Sequence, residues 1–180
     1  MTSTPRRIRD AVASDAATLA RIKVSSWRIT YAGIVPAAIL ERLDVTRNEA
    51  IFTARIAAGE EQGTLVIEDD AEFVSEAGPV VGYALVGPCT DAAAVGLGEV
   101  QAIYLDPDAR GQGFGRALLE AALSRLSTAG FSVAVLWVLT DNHPARRFYE
   151  RNAFAPDGGA RILDFDGTPI EEIRYRRPIA

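Results

Sequence analysis

The feature that most constrains this chain is a glycine-rich turn between an apolar strand and an amphipathic helix. Residues 100–105 form a short apolar run, and a turn at 110–115 follows it with glycine at alternate positions. These glycines are Gly111, Gly113 and Gly115. Apolar residues then recur with helical spacing, and Gly130 stands where a C-terminal cap is expected. Because uncovered N–H groups at a helix N-terminus attract anions, the segment predicts a phosphate-binding turn.

Two well-known nucleotide-binding motifs do not fit this turn. A dinucleotide fingerprint that begins at Gly111 needs glycine or alanine where the chain has Arg116. A P-loop needs Gly-Lys followed by Ser or Thr, which the turn lacks. The turn resembles instead the acetyl-CoA-binding motif of the GCN5-related N-acetyltransferase (GNAT) superfamily, Gln/Arg-x-x-Gly-x-Gly/Ala. Arg110, Gly113 and Gly115 match that motif.

A second segment makes the resemblance more specific. After an apolar run at 133–139, residues 142–154 read Asn-His-Pro-Ala-Arg-Arg-Phe-Tyr-Glu-Arg-Asn-Ala-Phe, which is similar to the family's second signature. Asn142 is a suitable helix N-cap, and the interval to Tyr149 is about two helical turns, which places both residues on one face. In the family, that face lines the thioester end of the cofactor. The two motifs together cover residues 99–154.

The resemblance implies a mixed α/β (α+β) fold. It has a mostly antiparallel central sheet of about six to seven strands, flanking helices, and a splayed central strand pair that holds acetyl-CoA. The residue pattern predicts further strands at 7–11, 64–68, 79–86, 160–165 and 170–176, and helices at 14–27, 37–43 and 48–58. Ser14 is expected to cap the first helix, and residues 166–169 to turn a C-terminal hairpin. Without a repeat or a linker, residues 1–180 are expected to form one domain.

Composition narrows the classes of partner. The 180 residues are 48% hydrophobic and carry a net charge of -5, with Cys89 as the only cysteine. A disulfide framework is therefore excluded, and nucleic acid is disfavoured as the main partner. The sequence shows neither a signal region nor a run as long as a membrane helix, so we expect a cytoplasmic protein with no membrane partner. A cationic amine substrate and a homodimer are both compatible with these properties.

The resemblance implies acetyl-CoA as the cosubstrate and no metal. Backbone N–H groups at the end of the first strand would meet the pantetheine amides and the developing oxyanion, and those of the turn would hold the pyrophosphate. The residues expected to bind the cofactor lie on the strand end, the turn and the second helix cap. They are Ile103, Tyr104, Leu105, Arg110, Gly111, Gln112, Gly113, Phe114, Gly115, Arg116 and Asn142.

Acetyl transfer to an amine needs a neutral nitrogen and a proton donor for the leaving thiolate. Tyr149, with an ordinary pKa of about 10, is the candidate acid; the alternative is that it only packs its helix. Glu99 is the candidate base, because it stands four residues before Ile103, the spacing of the catalytic glutamate in histone-type members of the family. The alternative is a solvated carboxylate at the strand entrance.

Residues 26–36 resemble the connection between the first helices of small bacterial acetyltransferases, which overhangs the acceptor site. Trp27 and Tyr31 either hold an alkyl or cationic amine there or close the top of the core. The function that these observations predict is acetyl-CoA-dependent transfer to a primary amine of a small molecule or peptide, directly within a ternary complex. Two alternatives stay open, a non-catalytic acyl-CoA-binding module of the same fold and, more remotely, a dinucleotide-binding oxidoreductase domain.

Overall fold

A computed structural model describes residues 6–59, 63–69, 79–91 and 94–179. Seven strands within these ranges form one sheet. They are β1 (Arg6–Asp10), β2 (Thr64–Asp69), β3 (Val80–Pro88), β4 (Gly98–Leu105), β5 (Val133–Leu139), β6 (Ala155–Phe165) and β7 (Thr168–Pro178). Their order across the sheet is β1-β2-β3-β4-β5-β7-β6, and every neighbouring pair is antiparallel except the parallel pair β4–β5. The predicted mixed, mostly antiparallel sheet is confirmed.

Helices cover both faces of this sheet. The α-helices in the described ranges are α1 (Ala16–Thr30), α2 (Ala37–Glu41), α3 (Val45–Ala57), α4 (Phe114–Thr128) and α5 (His143–Arg151). Alternate residues of a strand point to opposite faces, so Ile67 packs in the core beneath α4 while Val66 packs with residues of α1 and α3. None of these helices has the length and apolar character needed to cross a membrane.

A β-bulge interrupts the pairing of β3 with β4. Ala102 pairs with Leu85, and Val100 pairs with Val86, so Gln101 is left as one extra residue in β4. A bulge of this kind bends its strand and increases its local twist. The bulge lies just beyond Glu99, the last residue of β4 that pairs with β5.

β4 and β5 are paired only at one end. Gly98 pairs with Ala134 and Glu99 pairs with Val135, and the ladder stops there. From residue 100 to residue 105, the edge of β4 that faces β5 has no backbone partner within the ladder. The predicted separation of the central strand pair is therefore present, and it opens a gap in the middle of the sheet.

The start of the first helix differs from the prediction. A 3-10 turn at Ala13–Asp15 precedes α1, and the Asp15 carboxylate accepts a hydrogen bond from the Val12 backbone N–H at 2.8 Å. Arg9 fixes that carboxylate with two further hydrogen bonds of 2.7 and 3.0 Å. The prediction that Ser14 caps the helix was wrong, because the pair formed by Asp15 and Arg9 organises this turn.

Two other boundaries moved for local reasons. α3 begins three residues before the predicted start, because Asp44 caps it by accepting a 2.6 Å hydrogen bond from the Arg47 N–H. The C-terminal hairpin has a two-residue turn rather than four. Asp166 and Gly167 take φ values of 52° and 84°, the left-handed pair that a tight hairpin turn requires.

Candidate active site

A cleft of about 600 Å³ opens where β4 and β5 separate. β4 forms one wall, and the end of β5 with the first turns of α5 forms the other. The C-terminal part of α1 and the β6–β7 hairpin bound the far end. Most of the predicted site residues line this cleft, namely Trp27, Tyr31, Glu99, Ile103, Tyr104, Leu105, Arg110, Gly111, Gly115, Asn142 and Tyr149.

The glycine turn leads from β4 to α4 with unsatisfied backbone donors. Gly113 is the N-cap of α4 in the left-handed conformation, with a φ of 87°, and no side chain caps this helix end. The first N–H groups of an α-helix have no partner within the helix. A Cβ atom at Gly111 would meet nothing within 4 Å, so open space adjoins the turn. The turn thus offers free N–H groups and room for an anion.

Four predicted cofactor residues lie outside the lining of the cleft. They are Gln112, Gly113, Phe114 and Arg116. Phe114 is buried in the core, and the Gln112 side-chain amide donates to the Asp108 carbonyl at 3.1 Å. Gly113 has no side chain and the side chains of Gln112 and Phe114 contact the protein, so these three residues can meet a ligand in the cleft only through their backbone. Arg116 lines a second cavity between α4 and α5.

Arg6 packs behind the glycine turn, and no local pattern predicted this contact. Its Nη2 atom donates to the Gln112 carbonyl, and its guanidinium carbon lies 4.9 Å from the centroid of the Phe114 ring. A Cβ atom at Gly113 would lie 3.1 Å from Nη1 of Arg6. A glycine at position 113 therefore leaves room for a guanidinium on the back of the turn as well as giving the turn its shape.

Asn142 and Tyr149 occupy the wall opposite β4. Asn142 caps α5, as predicted, by accepting a 3.3 Å hydrogen bond from the Ala145 N–H. Burial raises the pKa of Tyr149 above its ordinary value, and the neighbouring Tyr31 adds to that rise. The Tyr149 hydroxyl is therefore protonated at neutral pH and is a weaker acid than a free tyrosine.

Glu99 stands at the closed end of the gap, in the last pair that joins β4 to β5. Burial raises the pKa of its carboxyl, while a hydrogen bond from Cys89 and the positive charge of Arg161 oppose that rise. A carboxylate with a raised pKa is a stronger base than a free glutamate. The geometry thus places a base candidate within the cleft rather than at an open strand entrance.

Three aromatic side chains meet where α1 approaches β4. The Trp27 indole N–H donates to the Tyr104 hydroxyl at 2.9 Å, and the hydroxyls of Tyr31 and Tyr104 are 3.3 Å apart. Trp27 and Tyr31 also contact each other edge to face, with centroids 4.9 Å apart. Both also pack against a small apolar cluster that includes Leu139. They therefore line the cleft and also help to close a core.

The far end of the cleft holds charged residues that the sequence analysis missed. Arg161 lies with its guanidinium carbon 4.1 Å from the centroid of the Trp137 ring, and its Nε donates to Glu172. Arg161 and Glu172 are cross-strand partners in the β6–β7 hairpin. A two-residue turn at Asp166-Gly167 fixes that register, so the turn was the signal that could have paired them.

A second cavity, of about 440 Å³, lies between α4 and α5. Its lining holds three arginines, Arg116, Arg147 and Arg151, beside the Phe148 ring. Arg116 forms an ion pair with Glu120 at 2.9 Å, one turn along α4. The cavity is therefore basic and adjoins the wall of the main cleft, which shares Phe148 with it. Within the described ranges, no group of three His, Cys, Asp or Glu side chains is placed to hold a metal ion.

Comparison with known proteins decides the family. The model of the Acetyltransferase (GNAT) family matches residues 31–154. The chain is also 34% identical over 167 residues to the uncharacterized N-acetyltransferase YuaI of Bacillus subtilis, which covers 92% of this chain and 89% of that protein. The chain belongs to the GNAT acetyltransferase family. This GNAT protein is accordingly an acyltransferase, as its sequence predicted.

Solved structures confirm the fold of this GNAT protein. The PaiA N-acetyltransferase of Thermoplasma acidophilum, in complex with coenzyme A, has a TM-score of 0.72 and 20% identity, covering 97% of this chain and 99% of that one. The ribosomal-protein-alanine N-acetyltransferase of Brucella melitensis also has a TM-score of 0.72, with 22% identity over 96% of this chain and 99% of that one. At these identities the likeness concerns the fold.

Proposed function

We propose that this GNAT protein transfers an acetyl group from acetyl-CoA to a primary amine of a small molecule or peptide, directly within a ternary complex. The observation that carries the proposal is the separation of β4 from β5 beyond Glu99 and Val135. It gives one cleft with free backbone donors at the glycine turn, a tyrosine on the facing wall and a partly buried carboxylate at its closed end. A coenzyme A complex of a fold relative supports the choice of ligand.

The described residues fit acetyl-CoA in two respects. The uncapped N-terminus of α4 suits a pyrophosphate, and the unpaired edge of β4 suits the amides of a pantetheine chain. Gly111, Gly115 and Asn142 line the same cleft and are the residues proposed to hold it. Acetyl-CoA supplies an acetyl group activated as a thioester, with coenzyme A as the leaving thiol.

The basic cavity between α4 and α5 extends this site. Arg147 and Arg151 project into it from α5, next to the Phe148 ring that also borders the main cleft. Arginine binds phosphate through planar, charge-assisted hydrogen bonds, and an aromatic ring gives a face for a base. We assign this cavity to the 3′-phosphoadenosine end of acetyl-CoA.

Two side chains move protons in the proposed reaction. Glu99 accepts a proton from the incoming ammonium group, directly or through water, so that the nitrogen can attack. Tyr149 donates its hydroxyl proton to the leaving thiolate from the wall of the cleft that faces β4. The backbone N–H groups of Ile103 and Leu105, which face away from β3, stabilise negative charge on the carbonyl oxygen. Base, acid and oxyanion donors thus all line one cleft.

A screen of amines for release of free thiol from acetyl-CoA tests the proposal. We expect thiol release that depends on an amine, together with a mass increase of one acetyl group on that amine. A binding module would bind acetyl-CoA tightly and release no thiol with any amine. A dinucleotide-binding domain would bind NADH in a parallel titration and ignore acetyl-CoA. Either result would overturn the proposed transfer.

A further inference from the structure

Arg161 is held in a fixed pose at the far end of the cleft. The guanidinium rests on the Trp137 ring, with its carbon 4.1 Å from the ring centroid. Its Nε donates to Glu172, a buried carboxylate on the neighbouring strand. Stacking and a charge-assisted hydrogen bond together restrict a side chain that otherwise has many rotamers. Its orientation is thus set before any ligand arrives.

The outer edge of this guanidinium is free. Only Nε of Arg161 donates to another described residue, so the four N–H bonds of its two Nη atoms have no protein acceptor within that part of the chain. The side chain of Arg161 is 44% exposed and lines the cleft. A guanidinium offers two parallel N–H donors along such an edge, which match the two oxygens of a carboxylate.

The neighbouring arginine, Arg174, is held by two carboxylates of the protein. Arg174 also lies over Trp137, at 5.6 Å from the ring centroid. It is paired with Asp157 at 2.9 Å and with Asp91 at 3.3 Å. Arg174 thus donates to carboxylates from Nε and Nη1, whereas Arg161 donates from Nε alone. Both Nη groups of Arg161 are therefore available to an anionic group of a ligand in the cleft.

Glu99 lies close enough to Arg161 for their charges to interact, and both line the same cleft. A ligand with a carboxylate on Arg161 can therefore present an amine to Glu99. A diamine would instead leave the Nη donors of Arg161 without an acceptor. An acceptor that itself carries opposite charges can therefore pair with both side chains in the cleft.

We infer that the acceptor is an amino acid, whose carboxylate is bound by Arg161 while its amine lies beside Glu99. The inference rests on the proposed acetyl transfer and names the substrate class for it. Glu172 is a positioning residue, since it acts on the acceptor only through the Arg161 side chain. The transfer itself is unchanged: the amine loses a proton, a C–N bond forms, the C–S bond breaks and the thiolate gains a proton.

The test compares acids with their own amides. The probes are the twenty common L-amino acids, the same compounds as α-carboxamides, the ω-amino acids β-alanine and 4-aminobutyrate, and the diamine putrescine. We expect kcat/KM to be higher for the best acid than for its amide, by roughly 10- to 100-fold, because the amide lacks the charge that pairs with the guanidinium. The ω-amino acids measure the distance between the carboxylate and amine subsites.

Variants of Arg161 and Glu172 test whether the preference for acids over amides depends on the Arg161 guanidinium. Arg161→Met keeps an apolar side chain over Trp137 and removes the guanidinium. It should therefore raise KM for the acid with little change for the amide. Arg161→Lys should restore part of the affinity, and Glu172→Gln should raise KM for the acid more mildly than Arg161→Met. Arg42→Met is the matched control, because Arg42 forms an exposed ion pair with Asp166 of the same hairpin and does not line the cleft.

Each outcome is decisive. Equal kcat/KM for acids and amides, a preference for putrescine, or an acid preference that survives Arg161→Met would overturn the inference and leave acetyl transfer standing. The inference would also be overturned if no amino acid stimulated thiol release by protein that binds acetyl-CoA in calorimetry. Failure to bind acetyl-CoA would instead remove the proposed function, and the inference with it.

Discussion

Glu99 and Val135 form the last pair between β4 and β5, so the Glu99 carboxylate stands where the two strands part. If β4 and β5 were paired along their whole length, Glu99 would lie within a continuous sheet and not at the start of a gap. The bulge at Gln101 begins two residues later and bends β4 away. The location of the candidate base is therefore a consequence of where the ladder ends.

Replacing Glu99 by glutamine tests its role through pH. Burial raises the pKa of Glu99, so in the parent protein the carboxylate takes up a proton, and the rate declines, at a higher pH than for a free glutamate. The Glu99→Gln variant should transfer acetyl more slowly near neutral pH. Its deficit should shrink as the pH rises towards the pKa of the amine, because solvent then deprotonates the acceptor. Pre-steady-state rates across a pH series measure this.

Two parallel pH–rate profiles would remove Glu99 from the mechanism. Glu49, which lies on the first turns of α3 and does not line the cleft, provides a matched control. Glu49→Gln should follow the parent profile throughout.

Replacing Tyr149 by phenylalanine tests the acid. The change removes one hydroxyl and keeps the ring, which packs at 5.2 Å from Phe148 and 6.0 Å from Phe154, measured between centroids. We expect kcat to fall by roughly 10² to 10⁴-fold while the dissociation constant of acetyl-CoA stays within a few-fold of its parent value. Turnover close to the parent rate, with chemistry limiting, would show that Tyr149 only packs.

Arg6 supplies a test of the turn from outside the cleft. Arg6→Met removes the hydrogen bond to the Gln112 carbonyl and the positive charge behind the turn. Acetyl-CoA should bind about 3- to 10-fold more weakly at low salt, with kcat little changed and the difference narrowing as salt increases. Arg7→Met is the control, since Arg7 is the next residue on β1 and lies near Glu68, on the opposite face. Equal affinities in calorimetry for both variants would argue against a role for Arg6.

Two glycines at opposite ends of α4 distinguish the effect of backbone strain on stability from an effect on cofactor binding. Gly113 and Gly130 have φ values of 87° and 92°, so alanine at either position should lower the free energy of unfolding by about 1–2 kcal/mol. Only the alanine at position 113 would press on Arg6, because nothing lies within 4 Å of a Cβ at Gly130. Denaturant titration should show a loss in both variants, and calorimetry should show weaker acetyl-CoA binding in Gly113→Ala alone. Equal affinity of the two variants for acetyl-CoA would show that the glycine turn is not part of the cofactor site.

Local chemistry explains what the sequence predicted well. Glycine at a helix start, Asn142 before a proline-containing first turn, and a run of apolar residues each act within a few neighbours, so the β4–α4 and β5–α5 units could be predicted. The start of the first helix was predicted wrongly because a side chain from a neighbouring strand intervened. The arginine that fixes Asp15 lies on β1, and no spacing rule joins the two.

At the far end of the cleft, the hairpin turn could have paired Arg161 with Glu172, but no local pattern joins Trp137 to them. Trp137, Arg161 and Glu172 come from three different strands, and they meet only because β7 lies between β5 and β6 in the sheet. Arg6 behind the turn likewise comes from the opposite edge strand. Contacts of this kind follow from strand order, which the sequence pattern left open.

Direct transfer in a ternary complex is the central claim, and initial rates over a matrix of acetyl-CoA and acceptor concentrations test it most directly. With the best acceptor of the amino acid panel, thiol release should depend on both concentrations, and double-reciprocal plots should give lines that intersect. Both substrates must then be bound before coenzyme A leaves. Parallel lines, which indicate an acetylated enzyme formed before the amine binds, or thiol release that does not depend on the amine, would contradict the account.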